Sequence, residues 1–198
     1  MKWLRLFLLL ILCTEAFGQK FPFEFWHEGK IVLETGDTLK GSIKYDLQSD
    51  LLQFLQEGKL DSYTARKVTF FEIFDQTTKR YRQFYSIPYT TSAAYKAPVF
   101  FELLTEGKMT LLCRENLEYR SYSNSFYSYG TSSRLVLVYH YFLLNERGDI
   151  DSFAGKRVDL LRLMGNKSDQ VEKYMKANKL DLTDRREFTQ IIQYYNSL

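Results

Sequence analysis

Apolar and polar positions alternate along much of the chain before residue 155. The clearest case is 30–46. Ile31 and Leu33 alternate with polar residues before Thr35-Gly36-Asp37, and Leu39, Ile43 and Tyr45 are the apolar positions after it. A period of two puts one set of side chains on one face of a strand, so this segment predicts a β-hairpin. A two-residue Gly-Asp loop would set Leu33 opposite Lys40 and send the two apolar sets to opposite faces. A three-residue loop, Thr35-Gly36-Asp37, sets Leu33 opposite Leu39 and Ile31 opposite Gly41, and keeps the apolar residues together. That is the expected register.

Further strands are expected over 51–55, 68–74, 80–86, 99–105, 108–114 and 134–144. Polar turns separate them at Gln56-Glu57-Gly58, 75–79, Glu106-Gly107 and 146–149, and Pro88 and Pro98 bracket a loop. Short strands joined by glycine turns predict an antiparallel sheet curled into a sandwich or partial barrel. Glu-Gly-Lys occurs at 28–30, 57–59 and 106–108 without a fixed period, which reads as three hairpin turns of like chemistry and not as a repeat.

From Gly155 the period lengthens. Val158 with Leu161, and Leu160 with Met164, stand at helical spacing, and Gly165 is a natural stop. A second helix is expected from about Ser168, with Val171, Tyr174 and Met175 on one face. A third is capped by Thr183 or Asp184 and carries Phe188, Ile191, Ile192 and Tyr195. Such narrow stripes need a surface to cover. The expected fold class is therefore α+β, mainly β. Residues 19–154 form the antiparallel β domain, and helices over 155–198 pack on it as part of the same globular unit.

The first residues change the picture of where the protein acts. Lys2 and Arg5 precede the apolar run from Leu6 to Cys13, and Ala16 and Gly18 are small residues placed for cleavage after Gly18. Residues 1–18 thus read as a secretory signal peptide. The run is far short of the ~20 residues a membrane-spanning helix needs. Bulky Leu12 before Cys13 argues against a lipid-attachment motif. Of two cysteines only Cys113 remains after cleavage, so an intrachain disulfide is ruled out, and an exported protein without one suits a bacterial envelope. The 198 residues suit one domain that is large enough to hold its own core. Charge is nearly balanced, 27 Lys and Arg against 24 Asp and Glu, which gives no steering field for nucleic acid.

Candidate chemistry is sparse. Cys113 and His140 invite a nucleophile reading, but Cys113 ends an apolar strand and reads better as a buried thiol. His27, His140 and Cys113 lack the paired spacing of a zinc site, so no metal or cofactor is expected. Glu72, Glu102 and Glu115 interrupt apolar strands and each can face inward; Arg114, beside Glu115 in a strand, faces the other way. A transmembrane barrel is disfavoured by the helical ending and the charged strand faces. The segment 119–130 alternates aromatic residues with serine, a pairing suited to recognition loops, and nominates Tyr119, Tyr122, Phe126, Tyr127 and Tyr129 as binding residues.

The stretch Trp26-His27-Glu28-Gly29-Lys30-Ile31-Val32-Leu33, followed by Gly36-Asp37-Thr38-Leu39-Lys40-Gly41-Ser42-Ile43-Lys44-Tyr45, resembles an opening hairpin of uncharacterised exported proteins of Gram-negative bacteria. Phe84-Tyr85-Ser86-Ile87-Pro88-Tyr89, Leu112-Cys113-Arg114-Glu115 and the ending Ile191-Ile192-Gln193-Tyr194-Tyr195-Asn196 fit the same resemblance. It implies export and a strand-rich fold and assigns no activity. The expected function is a non-enzymatic interaction module in the periplasm or on the surface of a Gram-negative bacterium, with another envelope protein or a glycan as partner. The alternatives are a small hydrolase or sugar-acting enzyme with a carboxylate site, and a β-barrel binding an apolar ligand.

Overall fold

A computed structural model describes residues 20–90, 95–123 and 131–198, with side chains except at 122, 123, 131 and 132. The expected signal peptide lies outside them. A short 3-10 turn, Pro22–Glu24, leads into ten strands. These are β1 (His27–Leu33), β2 (Thr38–Asp46), β3 (Leu51–Gln56), β4 (Lys59–Thr64), β5 (Val68–Asp75), β6 (Arg80–Thr90), β7 (Lys96–Thr105), β8 (Met109–Ser123), β9 (Thr131–Asn145) and β10 (Ile150–Phe153). They form a single antiparallel sheet in the order β10-β9-β8-β7-β6-β5-β1-β2-β3-β4. Three helices follow: α1 (Arg157–Leu163), α2 (Ser168–Asn178) and α3 (Arg185–Asn196). The chain is thus mainly β with a helical C-terminal segment.

The connectivity forces the sheet to curl. Edge strand β4 and strand β5 are separated in sequence only by residues 65–67, yet β1, β2 and β3 lie between them in the sheet. Four strand spacings in a flat sheet would be about 19 Å, beyond the ~14 Å that the four steps from Thr64 to Val68 can reach. The first five strands therefore roll up. The roll brings backbones close at the cross-strand pair Gly29 and Gly41. A Cβ on Gly29 would lie 2.1 Å from the Glu72 carbonyl oxygen, so only glycine fits. The interior is filled by Ile31, Ile43, Leu52, Phe54, Phe71 and their neighbours. Phe71 stacks on Phe84 at 4.3 Å and meets Phe100 edge-on at 5.1 Å.

A side-chain clamp ties this roll to the later strands. Strand β8 pairs with β7 up to Cys113, opposite Glu102, and then leaves it. Beyond that point the Phe100 N–H donates to Asp50 Oδ1 at 2.7 Å, and the Phe100 carbonyl accepts from Arg114 Nη1 at 2.6 Å. Arg114 also pairs with Asp50 at 2.8 Å and donates to the Leu47 carbonyl. Two side chains thus take the place of the missing strand partner and pin the β2–β3 turn against β7 and β8.

Several sequence expectations are corrected. The opening hairpin pairs Ile31 with Leu39 and Val32 with Thr38, two residues out of the expected register. Its loop is Glu34-Thr35-Gly36, closed by Gly36 N–H to the Leu33 carbonyl and Leu33 N–H to the Asp37 carbonyl, both at 2.9 Å. Gly36, at φ +92°, takes the left-handed third position that a three-residue loop requires. A shift of two keeps every side chain on its face, which is why the apolar set still coincides. Pro88 and Pro98 do not bracket the loop; they are cross-strand partners inside β6 and β7. Pairing of β6 with β5 stops at Tyr85 and that of β8 with β7 at Glu102, so neither proline owes an N–H to an outer neighbour. Glu28-Gly29-Lys30 is in strand β1, not a turn. Strands β4 and β10 escaped the sequence reading, and β8 and β9 run much longer than expected.

The helices cover the inner face of β8 and β9. Leu160 and Met164 are buried and Leu161 packs against the same core, whereas Val158 is 68% exposed. Val171 and Met175 of α2, and Phe188, Ile191 and Ile192 of α3, complete a second core with Leu111, Cys113, Tyr141 and Leu143. Asp184, not Thr183, caps α3: its Oδ1 accepts from the Arg186 and Glu187 N–H groups at 2.8 and 2.9 Å. At the far end, Asn196 accepts from Met109 N–H at 3.0 Å and donates to the Met109 carbonyl at 2.9 Å, tying the last helical turn to the start of β8.

Candidate functional site

Between the rolled core and the helical core lies a buried cluster of charge. Arg82 projects inward from β6 on the same face as Phe84 and is 3% exposed. Its Nε and Nη2 hold Glu102 of β7 at 2.9 and 2.6 Å. Nη2 also reaches Glu115 of β8 at 2.5 Å, and Nη1 reaches Asp75 of β5 at 3.2 Å and the Tyr45 hydroxyl of β2 at 2.7 Å. The Tyr45 hydroxyl in turn donates to Glu115 Oε2 at 2.9 Å. From α3, Arg185 donates to Glu102 Oε1. The guanidinium of β6 thus joins four other strands, its planar fork suiting several carboxylates at once, and the helix joins through Glu102.

The neighbours of Glu102, Asp75 and Arg82 outweigh the burial that works against their charges. Burial pushes the Glu102 carboxyl up, but Arg82 and Arg185 outweigh it and hold it below its ordinary value. Burial likewise works against the Asp75 carboxylate. Hydrogen bonds from the Thr77 hydroxyl and N–H, with the Arg82 charge, reverse the sign and bring it down to about 2. The Arg82 guanidinium is raised despite burial, through Glu102, Tyr45 and Glu115. Burial, helped by Glu115 and opposed by Arg82, pushes the Tyr45 phenol up and keeps it a donor.

This arrangement is poorly suited to acid–base chemistry. A general acid needs a carboxyl raised toward neutrality, and Glu102 is shifted the other way. Glu102 and Glu115 do converge, but on a guanidinium that occupies the space between them. The cluster works as a polar seam that fixes how the two apolar cores meet.

Glu102 and Glu115 face inward, as their interruption of apolar strands allowed. Glu72 does not: it faces the outer surface, paired with Lys30 at 3.2 Å and accepting from Gln83 at 2.9 Å. Cys113 stands opposite Tyr141 and His140 opposite Arg114, so thiol and imidazole lie on opposite faces of the sheet and form no dyad. The thiol is fully buried, and that burial raises its pKa far above the ordinary value. Cys113→Ser is expected to cost about 1–3 kcal/mol through the buried hydroxyl, and native Cys113 to resist thiol reagents. Rapid labelling of the folded protein would contradict this. Among the described residues no group of three or more His, Cys, Asp or Glu side chains is placed to hold a metal ion, and no helix is long and apolar enough to cross a membrane.

Next to the seam, the 3-10 turn, β2, β3 and β8 enclose a cleft of about 340 Å³ whose lining includes Phe23, Lys44, Tyr45, Gln53 and Glu115. The nominated aromatic residues fall elsewhere. Beyond Cys113, β8 pairs only with β9 among the described residues, and the two project as a ribbon. Tyr119 belongs to this ribbon and is 78% exposed. Tyr122 is in the same strand by its backbone. Phe126, Tyr127 and Tyr129 lie outside the described residues. Residues 119–123 are thus strand, the alternative to a loop that their alternation also allows.

The sequence reading missed Arg82, Asp75, Tyr45 and Arg185. A signal for two of them was present: Arg82 shares a strand face with Phe84, and Tyr45 with Ile43, each two positions away. Compared with protein-family models, with curated proteins and with solved structures, the chain matches none.

Proposed function

We propose that the protein is an exported, non-enzymatic interaction module that engages another envelope protein through the β8–β9 ribbon. The observation that carries this reading is the composition of the ribbon. Leu117 and Tyr119 stand opposite Leu137 and Leu135 on one face, and Val136 and Val138 occupy the other. Leu117, Leu135, Val136 and Leu137 are only partly covered, and Tyr119 is open to solvent. A two-stranded ribbon is marginal in water by itself. Apolar residues on both of its faces gain most from a surface that covers them. That requirement favours a protein surface over a glycan, which would use aromatic platforms separated by polar groups. The saturated charge seam supports binding over catalysis.

The test is a photo-cross-linking residue in place of Tyr119, with exposed Gln76 of the β5–β6 turn as the control position, in cells that export the protein. A discrete adduct from position 119 alone is expected, on a protein whose mature N-terminus is Gln19 by sequencing. A chain that retains Met1, or equal adducts from both positions, would overturn the proposal.

A further inference from the structure

On the helical side of the seam, two hollows of about 370 and 470 Å³ share Arg80, Arg185 and Arg186 in their walls. Arg80 opens strand β6, and the other two lie in the first turn of α3. Arg185 is 14% exposed and committed to Glu102. Arg80 and Arg186 are exposed, and among the described residues no carboxylate pairs with either. Thr78, Asp184 and Glu187 line one hollow and Gln190 and Gln193 the other; Asp184 is engaged by the helix N–H groups and Glu187 accepts from the Asp181 N–H. The N–H groups of Arg186 and Glu187 are already taken by Asp184, so the hollows offer side-chain donors and not a free helix end.

The guanidiniums form two layers. The inner layer, Arg82 and Arg185, is neutralised by buried carboxylates. The outer layer, Arg80 and Arg186, makes no salt bridge among the described residues, although Asp184 and Glu187 share its hollow. Partial burial and the nearby charges of Arg185 and Arg82 push the Arg80 guanidinium below its ordinary value, against the pull of Glu102 and Asp75. Like charges crowded in this way are relieved by an anion, and a guanidinium fork matches the paired oxygens of a phosphate or carboxylate.

We propose that this cleft binds a small molecule through an oxyanion, a phosphate or a carboxylate, gripped by Arg80 and Arg186 over the floor formed by Arg185. The flanking amides of Gln190 and Gln193 and the exposed ring of Tyr81 contact the rest of the ligand. This site is independent of the ribbon.

Inorganic phosphate and succinate, titrated separately into the full chain by calorimetry at low salt, test it and distinguish the two oxyanions. At least one is expected to bind with one-to-one stoichiometry. Arg80→Ala and Arg186→Ala should each weaken binding by about tenfold or more. Arg80→Lys, which keeps the charge but loses the fork, should also weaken it, while Arg147→Ala in the β9–β10 turn, which lines neither hollow, leaves it unchanged. Melting curves of the free variants, expected to match the parent, show that the fold is intact. Failure of both anions to bind, or equal binding by the Arg80→Ala, Arg186→Ala and Arg147→Ala variants, overturns the proposal. Binding only to vesicles of phosphatidylglycerol would do the same, because a surface charge and not the cleft would then be responsible.

Discussion

Arg82→Ala is expected to destabilise the protein by about 3–5 kcal/mol or more, enough to unfold a domain of marginal stability. The guanidinium serves Glu102, Glu115, Asp75 and Tyr45 at once, and every one of these groups stays buried when it is removed. Arg185 then remains as a partner for Glu102 alone. The cost comes from the carboxylates left without a counter-charge, and pH exposes it. In the parent, Asp75 and Glu102 sit below their unfolded values. Their contribution is therefore fully present above about pH 4 and is lost as pH falls through the folded values, near 2 for Asp75. In the variant the sign reverses. Glu102, whose strongest opposition to burial is Arg82, is raised when Arg82 is lost, while Asp75 keeps its Thr77 hydrogen bonds; the folded variant then binds more protons and gains stability as pH falls from about 7 to about 5. Urea unfolding of both proteins at those two pH values separates the outcomes. A variant that loses under about 1 kcal/mol and keeps the parent's pH dependence would mean that the seam contributes little.

This seam also marks where sequence reading stops. The inward direction of Glu102 and Glu115 was legible, because each interrupts an apolar strand whose alternation fixes its face. Their shared partner was not. Arg82 lies 20 residues from Glu102 and 33 from Glu115. Tyr45 and Asp75 join them only because β1 is inserted between β5 and β2 and the sheet then rolls. Strand order is set by long-range pairing that no local period reports. The hairpin shows a finer limit. Alternation determined that its loop is odd, but not which three residues form it; that needed Gly36 assigned to the left-handed position. In the tail, helical spacing offered two stripes on α1; Leu160 and Met164 are buried and Leu161 packs at the edge of the same core, whereas Val158 is left exposed. The aromatic segment 119–130 left a loop and a strand pair both open, since tyrosine and serine suit either, and cross-strand pairing with residues 131–135 carries β8 through to Ser123.

Truncation after Gly155 is expected to abolish cooperative folding. The helices it removes have 7, 11 and 12 residues, too short to be stable alone in water, so their order comes from docking. The dependence is mutual. Without them, Leu111, Cys113, Tyr141 and Leu143 would face solvent from the inner side of β8 and β9. The loss reaches the seam too, since Arg185 leaves Glu102 with one guanidinium in place of two. Asn196 would no longer hold the backbone of Met109 through its N–H and carbonyl. A single substitution measures the same coupling without deleting the chain. Ile192 is fully buried, and Ile192→Ala should cost about 2–5 kcal/mol, the lost burial plus the cavity left behind. The opposing view is that residues 156–198 are a free arm used only for partner binding. On that view the truncated protein keeps its melting temperature and remains monomeric, and Ile192→Ala leaves stability unchanged. Differential scanning calorimetry with size-exclusion chromatography decides between them, because a docked tail makes both changes visible in the same unfolding transition.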